Sequence, residues 1–213
     1  MSTMQSVLIA DVVHSRRRGR LRPILEARLR EAGAAHRRSK LIRLPYAVTA
    51  GDEFQCLPAS PAVIPDLILD LRGRLRPLSL RIGIGIGAIQ GRVEPPVNRL
   101  TGEAFARARE AIDAVKQGTL HRFPSLTAFR TPRESFDLIV NLVYGLSDTL
   151  LLRVTETQWR TMAAYREKRR VDRAAKRLRL DSSTASRNLK RAHYWQLAEA
   201  VAAMRSLLES EWG

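Results

Sequence analysis

Apolar and polar positions follow two different periods in the first 130 residues. Short runs rich in β-branched and aliphatic residues predict five strands, at 6–13, 40–48, 53–57, 78–89 and 126–130. Apolar residues at helical spacing predict three helices, at 16–32, 62–75 and 102–117. The order begins as a split βαβ unit, in which the first strand lies beside the hairpin that follows it. We therefore expect an α+β, ferredoxin-like N-terminal domain.

The pattern of residues 132–213 is almost wholly helical. Helices are predicted at 136–152, 156–170 and 193–212, with two short helices around a turn within 171–192. We expect a sheet domain at 1–131, a linker helix within 132–155 and an all-α domain at 156–213. The linker helix could pack on either side.

Positive charge is the strongest feature of the composition. The formal net charge is +16, and the isoelectric point is about 11.3. Residues 14–43 hold eleven Lys and Arg against two Asp and Glu, and residues 157–193 hold twelve against three, so each block is +9. Two separate basic segments indicate two anionic contacts, such as DNA, RNA or nucleotide phosphates.

The compartment is predicted from cysteine content and hydropathy. Cys56 is the only cysteine, which excludes a disulfide within the chain and favours an intracellular protein. Residues 1–5 lack the basic start of a signal peptide. The most apolar later segment, FDLIVNLVYGLSDTLLL, contains Asp137, Asn141 and Asp148 and is too short and polar to span a bilayer. We expect a cytoplasmic protein with no membrane partner.

The segment AVTAGDEFQCL places Asp52 and Glu53 side by side between two apolar runs. Gly-Asp is a turn pair, so one interpretation is a surface hairpin turn. In the split βαβ order, however, the end of the first strand faces this turn, so Asp11 is expected to approach Asp52. Carboxylates combined with substrate phosphates suit Mg²⁺. In the fourth strand, the alternating Ile and Gly of LRIGIGIGAI indicate close approach of either a ligand or a helix.

Four segments, IADVVHSR, TAGDEFQ, LRIGIGIGAI and TGEAFARAREAI, resemble the SatD family in order and spacing. That family is similar to the palm-like catalytic domain of class III nucleotidyl cyclases and GGDEF diguanylate cyclases. The resemblance implies that Asp11 and Asp52, with the Val12 carbonyl, hold Mg²⁺ or Mn²⁺ ions on a nucleoside triphosphate. It also implies that Glu53 helps to activate a ribose hydroxyl. Two such ions can stabilise the attacking and leaving oxygens of a phosphoryl displacement.

Phosphate contacts are expected just after the first strand. Backbone N–H groups near Ser15, at the start of the following helix, could meet a phosphate. Arg16 and Arg17 add positive charge there. His14 stands where the related families commonly carry Gly, which departs from their phosphate turn.

The later helix departs from the cyclase pattern. Cyclases typically use an Asn and an Arg there to stabilise the transition state. This chain has Ala106 at the Asn position, and neither Arg107 nor Arg109 falls at the position of the usual Arg. We expect Arg109 to contact nucleotide phosphate, and we expect binding rather than turnover.

The segment RAAKRLRLDSSTASRNLKRA follows a helix-turn-helix pattern. Ala175 is small where two helices would cross, and Asp181 is a candidate N-cap for the second helix. Ala185 and Leu189, four residues apart, would face inward. Arg179 stands where many such turns have Gly. The alternative is an ordinary basic helical hairpin with solvated side chains.

Short polar side chains and one arginine then point outward from the start of the second helix. Such groups suit base edges in the major groove, whereas lysines and arginines nearby suit phosphates. The residues predicted to contact DNA are Ser182, Ser183, Thr184, Ser186, Arg187, Lys190 and Arg191.

The combined prediction is a nucleotide-responsive, DNA-binding transcriptional regulator. One alternative is an active nucleotidyl cyclase or nucleotidyltransferase that makes a signalling nucleotide, and another is a basic scaffold with a vestigial acidic site. A homodimer is expected because helix-turn-helix proteins usually bind two half-sites. The apolar stripe of the last helix, from Trp195 to Leu208, could be its seam or could pack in the core.

Overall fold

The computed structural model describes residues 4–14, 21–49 and 51–213, and it contains one five-stranded sheet. The strand order is β2-β3-β1-β4-β5, and neighbours are antiparallel except for the parallel pair β4 and β5. The strands are β1 Gln5–Val12, β2 Ile42–Val48, β3 Phe54–Pro58, β4 Leu80–Gly87 and β5 Thr127–Arg130. The α+β prediction is confirmed, as is the position of β1 beside the hairpin strand β3.

Helices cover both faces of the sheet. The α-helices of the described residues are α1 Leu21–Arg38, α2 Ile64–Leu75, α3 Glu103–Gln117, α4 Glu134–Leu151, α5 Glu156–Lys168, α6 Val171–Leu178, α7 Ser182–Arg191 and α8 Tyr194–Trp212. Side chains of α1, α2, α4 and α8 share one apolar cluster with Leu8 and Ile84 of the sheet. Those of α3 form the opposite cluster with Val7 and Ile9. Successive β1 residues therefore serve opposite faces, as strand geometry requires.

Helix α1 continues to Arg38, beyond the end predicted near residue 32. The apolar spacing runs on, since Ala32, Gly33 and His36 are all buried. Gly33 lies against the Tyr46 ring, where an added Cβ would be 3.4 Å from the nearest ring carbon. Packing on β2 therefore outweighs the helix-weakening effect of glycine.

The glycines of β4 bring α3 close to the sheet. A Cβ on Gly83 would lie 2.5 Å from the Ala108 carbonyl oxygen, and one on Gly85 would lie 2.0 Å from that of Ala104. Both obstructing atoms belong to the backbone of α3, so they cannot rotate away. Of the two interpretations of this glycine pattern, helix packing is the one observed.

Polar residues join α4 to the edge strand β5. Asn141 donates to the Phe129 carbonyl at 3.1 Å and accepts from the Phe129 N–H at 2.7 Å. Asp137 and Asp148 accept from the N–H groups at either end of β5, those of Thr131 and Leu126. The polar residues within this apolar segment therefore bind strand backbone, while the predicted boundaries of a separate linker remain a prediction.

The last four helices pack together, and they also pack against α2 and the apolar cluster under the sheet. Trp159 of α5, Leu189 of α7 and Leu197 of α8 share one apolar cluster with Leu69 of α2. Met204 and Leu208 of α8 belong to the cluster under the sheet. Of the two interpretations of the last helix, core packing is therefore the one observed for this part of its stripe.

In the described residues, no single helix is both long enough and apolar enough to cross a membrane. Helices α4 and α5 meet the length and composition requirement only as a pair, and the chain bends by 118° between them.

Candidate functional site

The end of β1 meets the turn between β2 and β3. Gly51 adopts a left-handed φ of +64°, and the Thr49 N–H donates to the Glu53 carbonyl at 2.8 Å across the turn. The Val12 N–H donates to Asp52 Oδ2 at 3.0 Å. Two segments forty residues apart are thus in direct contact, as the strand order predicted, although Ala50 of the turn lies outside the described residues.

Asp11 and Glu53 are ion-paired to basic side chains of β4 and α3. Asp11 Oδ1 lies 3.0 Å from Arg81 Nε, and its Oδ2 lies 3.2 Å from Lys116 Nζ. Both oxygens of Glu53 accept from Arg109 at 2.6 Å, and Glu53 Oε2 lies 3.4 Å from Lys116 Nζ. We call the three acids Asp11, Asp52 and Glu53, with the bases Arg81, Arg109 and Lys116, the acidic corner.

Strand register explains which acids share a base. Ala10 pairs with Phe54 across β1 and β3, so the next pair along this antiparallel register would be Asp11 and Glu53. On the other side of β1, Asp11 pairs directly with Arg81. Like charges opposite one another destabilise a sheet, whereas opposite charges stabilise it. Lys116 therefore compensates the two acids that the register brings together.

The electrostatics of the corner follow from this pairing. Burial of Glu53 acts to raise its pKa, but the hydrogen bonds and positive charges of Arg109 and Lys116 together outweigh burial and hold that pKa below its usual value. Glu53 in turn raises the pKa of Arg109. Asp11 Oδ1 is buried and accepts no hydrogen bond from any described residue, because the Arg81 Nε–H is near it without being aimed at it.

A second cluster of predicted residues lies on α6, α7 and the turn between them. Asp181 caps α7 by accepting from the Thr184 N–H at 2.7 Å. Ala185 and Leu189 are fully buried. Arg179 ends α6 with φ +56°. A non-glycine residue therefore adopts the left-handed conformation that usually favours Gly at such turns.

The outer surface of α7 is polar and basic. Six of the seven residues predicted to contact DNA are exposed, namely Ser182, Ser183, Ser186, Arg187, Lys190 and Arg191. Thr184 is half-buried and accepts a hydrogen bond from Arg187 at 2.9 Å. Asn188 anchors the helix by donating to Thr161 of α5 at 3.2 Å.

Comparison with known proteins decides the family. The model of the SatD family matches residues 6–198, which is most of the chain. The chain belongs to the SatD family. No curated protein matches it.

Two solved structures resemble this SatD-family chain at 14% identity each. One is a bacterial light-regulated adenylyl cyclase, with a TM-score of 0.44 over 61% of this chain and 76% of that one. The other is a regulator of polyketide synthase expression from Bifidobacterium adolescentis, with a TM-score of 0.34 over 96% of this chain and 86% of that one. Likeness at this level carries no activity over to the SatD-family chain.

The acidic corner of this SatD-family chain does not fit a two-metal site as it is arranged. Lys116 already lies between Asp11 and Glu53, and Asp52 is engaged by the Val12 N–H. Among the described residues, no group of three or more His, Cys, Asp or Glu side chains could hold a metal ion. A divalent cation could use these acids only if Lys116 moved away. The assignment of Asp11, Asp52 and the Val12 carbonyl as ligands therefore remains a prediction that needs such a movement.

The structure describes only some of the residues predicted to contact phosphate. Ser15, Arg16 and Arg17 lie outside the described residues. His14 is exposed and has φ +58°, which is the conformation that the glycine of related families would favour. Arg109 is engaged by Glu53 rather than left open to a ligand.

Two basic residues of the corner were missed from the sequence. Arg81 precedes the glycine pattern, and Lys116 lies in the last turn of α3. The sequence predicted a strand at 78–89, which contains Arg81, but finding the partner of Arg81 required the strand order and register. Lys116 carried no sequence signal, because a lysine at a helix C-terminus is commonplace.

Proposed function

We propose that this SatD-family protein is a DNA-binding transcriptional regulator that reads DNA with α7. The observation that carries the proposal is the division of α7 into two faces. Ala185 and Leu189 are buried, and the opposite face exposes short hydroxyl side chains, Arg187 and Lys190. This arrangement is that of a recognition helix, which enters the major groove with its N-terminal residues toward the bases.

The two kinds of side chain would have different tasks. Arg187 and the serines near the start of α7 would contact base edges, where bidentate arginine contacts to guanine carry sequence preference. Lys190 and Arg191, one turn further on, would contact phosphates and set affinity and register. The net charge of +16 would speed association with DNA in a salt-dependent way.

The test uses the full chain and duplexes selected by the protein from a random pool. Arg187→Ala should weaken binding to a selected duplex about tenfold or more and weaken binding to an unselected duplex far less. Lys190→Ala should weaken both equally and reduce the log–log salt slope by about one.

Arg92→Ala is the matched control, because Arg92 is 89% exposed in the loop after β4 and away from α7. Binding by Arg187→Ala and Lys190→Ala that equals binding by Arg92→Ala would show that α7 does not read DNA.

We further propose that the acidic corner binds nucleotide phosphate, and that Asp11 and Asp52 would hold Mg²⁺ or Mn²⁺ there once Lys116 moves away from Asp11. The support is that three carboxylates and three cations converge at the end of β1, where phosphates could exchange with carboxylates as partners of Arg81, Arg109 and Lys116. Binding is favoured over turnover. The hydrogen bonds from Arg109 help to hold the pKa of Glu53 below its usual value, which makes Glu53 a weaker base toward a ribose hydroxyl.

Calorimetric titration of the full chain with ATP and GTP, with and without Mg²⁺, tests this second part. Binding that needs the metal and disappears in Asp52→Ala would support a nucleotide sensor. A new product on chromatography, lost in Asp52→Ala, would instead support the cyclase or nucleotidyltransferase alternative.

A second candidate is favoured by the ion pairs themselves. Asp11 and Glu53 each have two basic partners, so the acidic corner could serve only to hold α3 on the sheet. This is the scaffold alternative, in which the acids are vestigial. Absence of heat with either nucleotide, together with loss of stability in Lys116→Met, would select it.

Regulation would require that a ligand bind two arrangements of the molecule with different affinity. The movement would pass through α4, as predicted for residues 136–152, and would also change the contacts of α8 and α5 with α2. Arg205 of α8 donates to Asp66 of α2 at 2.6 Å, and Arg166 of α5 lies 3.6 Å from Asp70. Regulation is tested by measuring whether the affinity of the protein for DNA changes when a nucleotide is added.

A further inference from the structure

Helix α4 carries an apolar face that no described part of the chain covers. Leu138 is 74% exposed, Ile139 56%, Leu142 47% and Leu146 53%. With Ser135 and Thr149, these residues lie on the side opposite the buried Val140 and Tyr144. From 135 to 149 this face has no charged side chain, and it extends about 22 Å at the rise of an α-helix.

Such a face is unusual on the surface of a strongly basic chain. Surface helices generally turn charged residues outward, but two of the three acids of this helix, Asp137 and Asp148, point inward and bind the backbone of β5. Single exposed leucines need no explanation, but a row of four large aliphatic side chains on one helix indicates an interaction site.

We propose that α4 is a dimer interface, with the α4 helices of two copies packed antiparallel across a two-fold axis near Leu142. The sequence of the face is self-complementary about that residue. Leu138 would meet Leu146 of the second copy, Ser135 would meet its Thr149, and Leu142 would meet its own counterpart. An isologous interface requires this kind of reciprocity.

Charge favours the antiparallel direction. Glu134 begins α4 and Arg153 follows its end, and both are exposed, while the neighbouring Arg133 is already ion-paired to Glu211 of α8. Antiparallel packing brings the Glu134 end of one copy to the Arg153 end of the other, and it also opposes the two helix dipoles. Parallel packing would instead place like charges together at both ends.

The dimer is expected to be weak in isolation. One helix pair of this length buries less area than the standard interface, and two copies that each carry +16 repel one another. The dissociation constant of the dimer should therefore be roughly micromolar, and it should decrease as salt is added. DNA binding has the opposite salt dependence. The inference rests on the homodimer that a DNA-binding helix-turn-helix would need at two half-sites, but it is tested without DNA, so either can fail alone.

Sedimentation equilibrium of the full chain tests the surface. Leu142→Asp places two like charges on the two-fold axis and should weaken dimerisation at least about tenfold. Ile24→Asp is the matched control, because Ile24 is 52% exposed on α1, away from this face. A monomer at every concentration and salt, or a dimer indifferent to Leu142→Asp, would overturn the inference.

Cysteine cross-linking tests the direction of packing. Leu142→Cys should form a disulfide with its counterpart under mild oxidation, whereas Leu138→Cys should not, since its two copies would be about 12 Å apart along the axis. The native Cys56 is fully buried and gives little background. Cross-linking of Leu138→Cys as efficient as that of Leu142→Cys would indicate another arrangement and would overturn the proposal. So would Leu142-dependent flotation of a monomer with anionic phospholipid vesicles, which would assign the face to a membrane surface.

Discussion

At the scale of single residues, Lys116 stabilises a pair of acids that the sheet would otherwise force together. Its ammonium lies within 3.4 Å of carboxylate oxygens of both Asp11 and Glu53, which the register of β1 and β3 sets opposite one another. Without that charge, two partly desolvated carboxylates would repel across the sheet.

Lys116→Met should therefore lower the free energy of unfolding by about 1–2 kcal/mol at neutral pH. The loss should shrink near about pH 3, because protonation of Glu53, whose pKa is held below its usual value, removes the repulsion that the variant exposes. Urea unfolding at both pH values measures this. Lys168→Met, at an exposed lysine of α5, should change little at either pH, and an equal effect of both variants would contradict the role given to Lys116.

The glycines of β4 make a second prediction at this scale. Gly85→Ala would place a Cβ 2.0 Å from the Ala104 carbonyl oxygen and 2.3 Å from the Ala108 nitrogen, both of them backbone atoms. We expect a loss of about 3 kcal/mol or more, because α3 would have to move away from the sheet. Thermal unfolding measures it.

Gly73→Ala is the control for this prediction. The new Cβ would lie 3.6 Å from the Trp159 ring, which is ordinary contact, and alanine favours the helix. Gly73→Ala should therefore be neutral or stabilising. Similar effects of the two substitutions would mean that the close approach of α3 to β4 is wrong.

At the scale of elements, α4 is joined to the sheet by side-chain hydrogen bonds to strand backbone. Strand β5 pairs with β4 along one edge, and Asn141 satisfies both backbone groups of Phe129 along the other. An unpaired sheet edge is a site of aggregation, and covering it with a helix is one remedy. Helix α4 therefore closes the sheet with its inner face while presenting leucines outward.

Asn141→Leu should lower the free energy of unfolding by about 2–3 kcal/mol. The substitution keeps the side-chain volume similar but leaves the Phe129 N–H and carbonyl buried without partners. Thermal unfolding is the measurement, and Asn98→Leu in the exposed turn before α3 is the control. A melting temperature equal to that of Asn98→Leu would show that the edge of β5 does not depend on Asn141.

At the scale of the whole molecule, Asp70 links three elements. It accepts from the buried His36 of α1 at 2.9 Å and from Arg74 of its own helix, and it lies 3.6 Å from Arg166 of α5. Burial acts to raise the pKa of Asp70, but these partners outweigh it and lower that pKa to about 2. The contact between the sheet domain and the C-terminal helices therefore depends on an ionised carboxylate.

Acid should weaken this contact within a defined window. A carboxyl with a lowered pKa in the folded state contributes stability above its unfolded value near 4, and this contribution is lost as pH falls toward 2. Asp70→Asn should remove a stabilisation of the order of 1 kcal/mol, allowing for its partial exposure, and should flatten the pH dependence between about pH 4 and 2. Chemical unfolding at several pH values measures it. Glu94→Gln, at an exposed loop residue, should keep the steeper dependence, and an unchanged slope in Asp70→Asn would refute the assignment.

Much of the fold could be predicted because helices and strands have their own periods. The α+β composition, the hairpin and the neighbourhood of Asp11 and Asp52 all followed from local pattern and strand order. The pairing within the corner could not be predicted in the same way. Whether Asp11 faces Arg81, Glu53 or a metal depends on register, and a shift of one residue changes every partner.

The amphipathic helices show the division most clearly. The spacing of residues is a local property, so it predicts an apolar stripe on α4 and another on α8. Which stripe is covered became known from the fold: Met204 and Leu208 of α8 are buried beneath the sheet, while Leu138 and Leu142 of α4 face outward. Burial depends on what the rest of the chain brings alongside a helix, and helical periodicity contains no record of that neighbour.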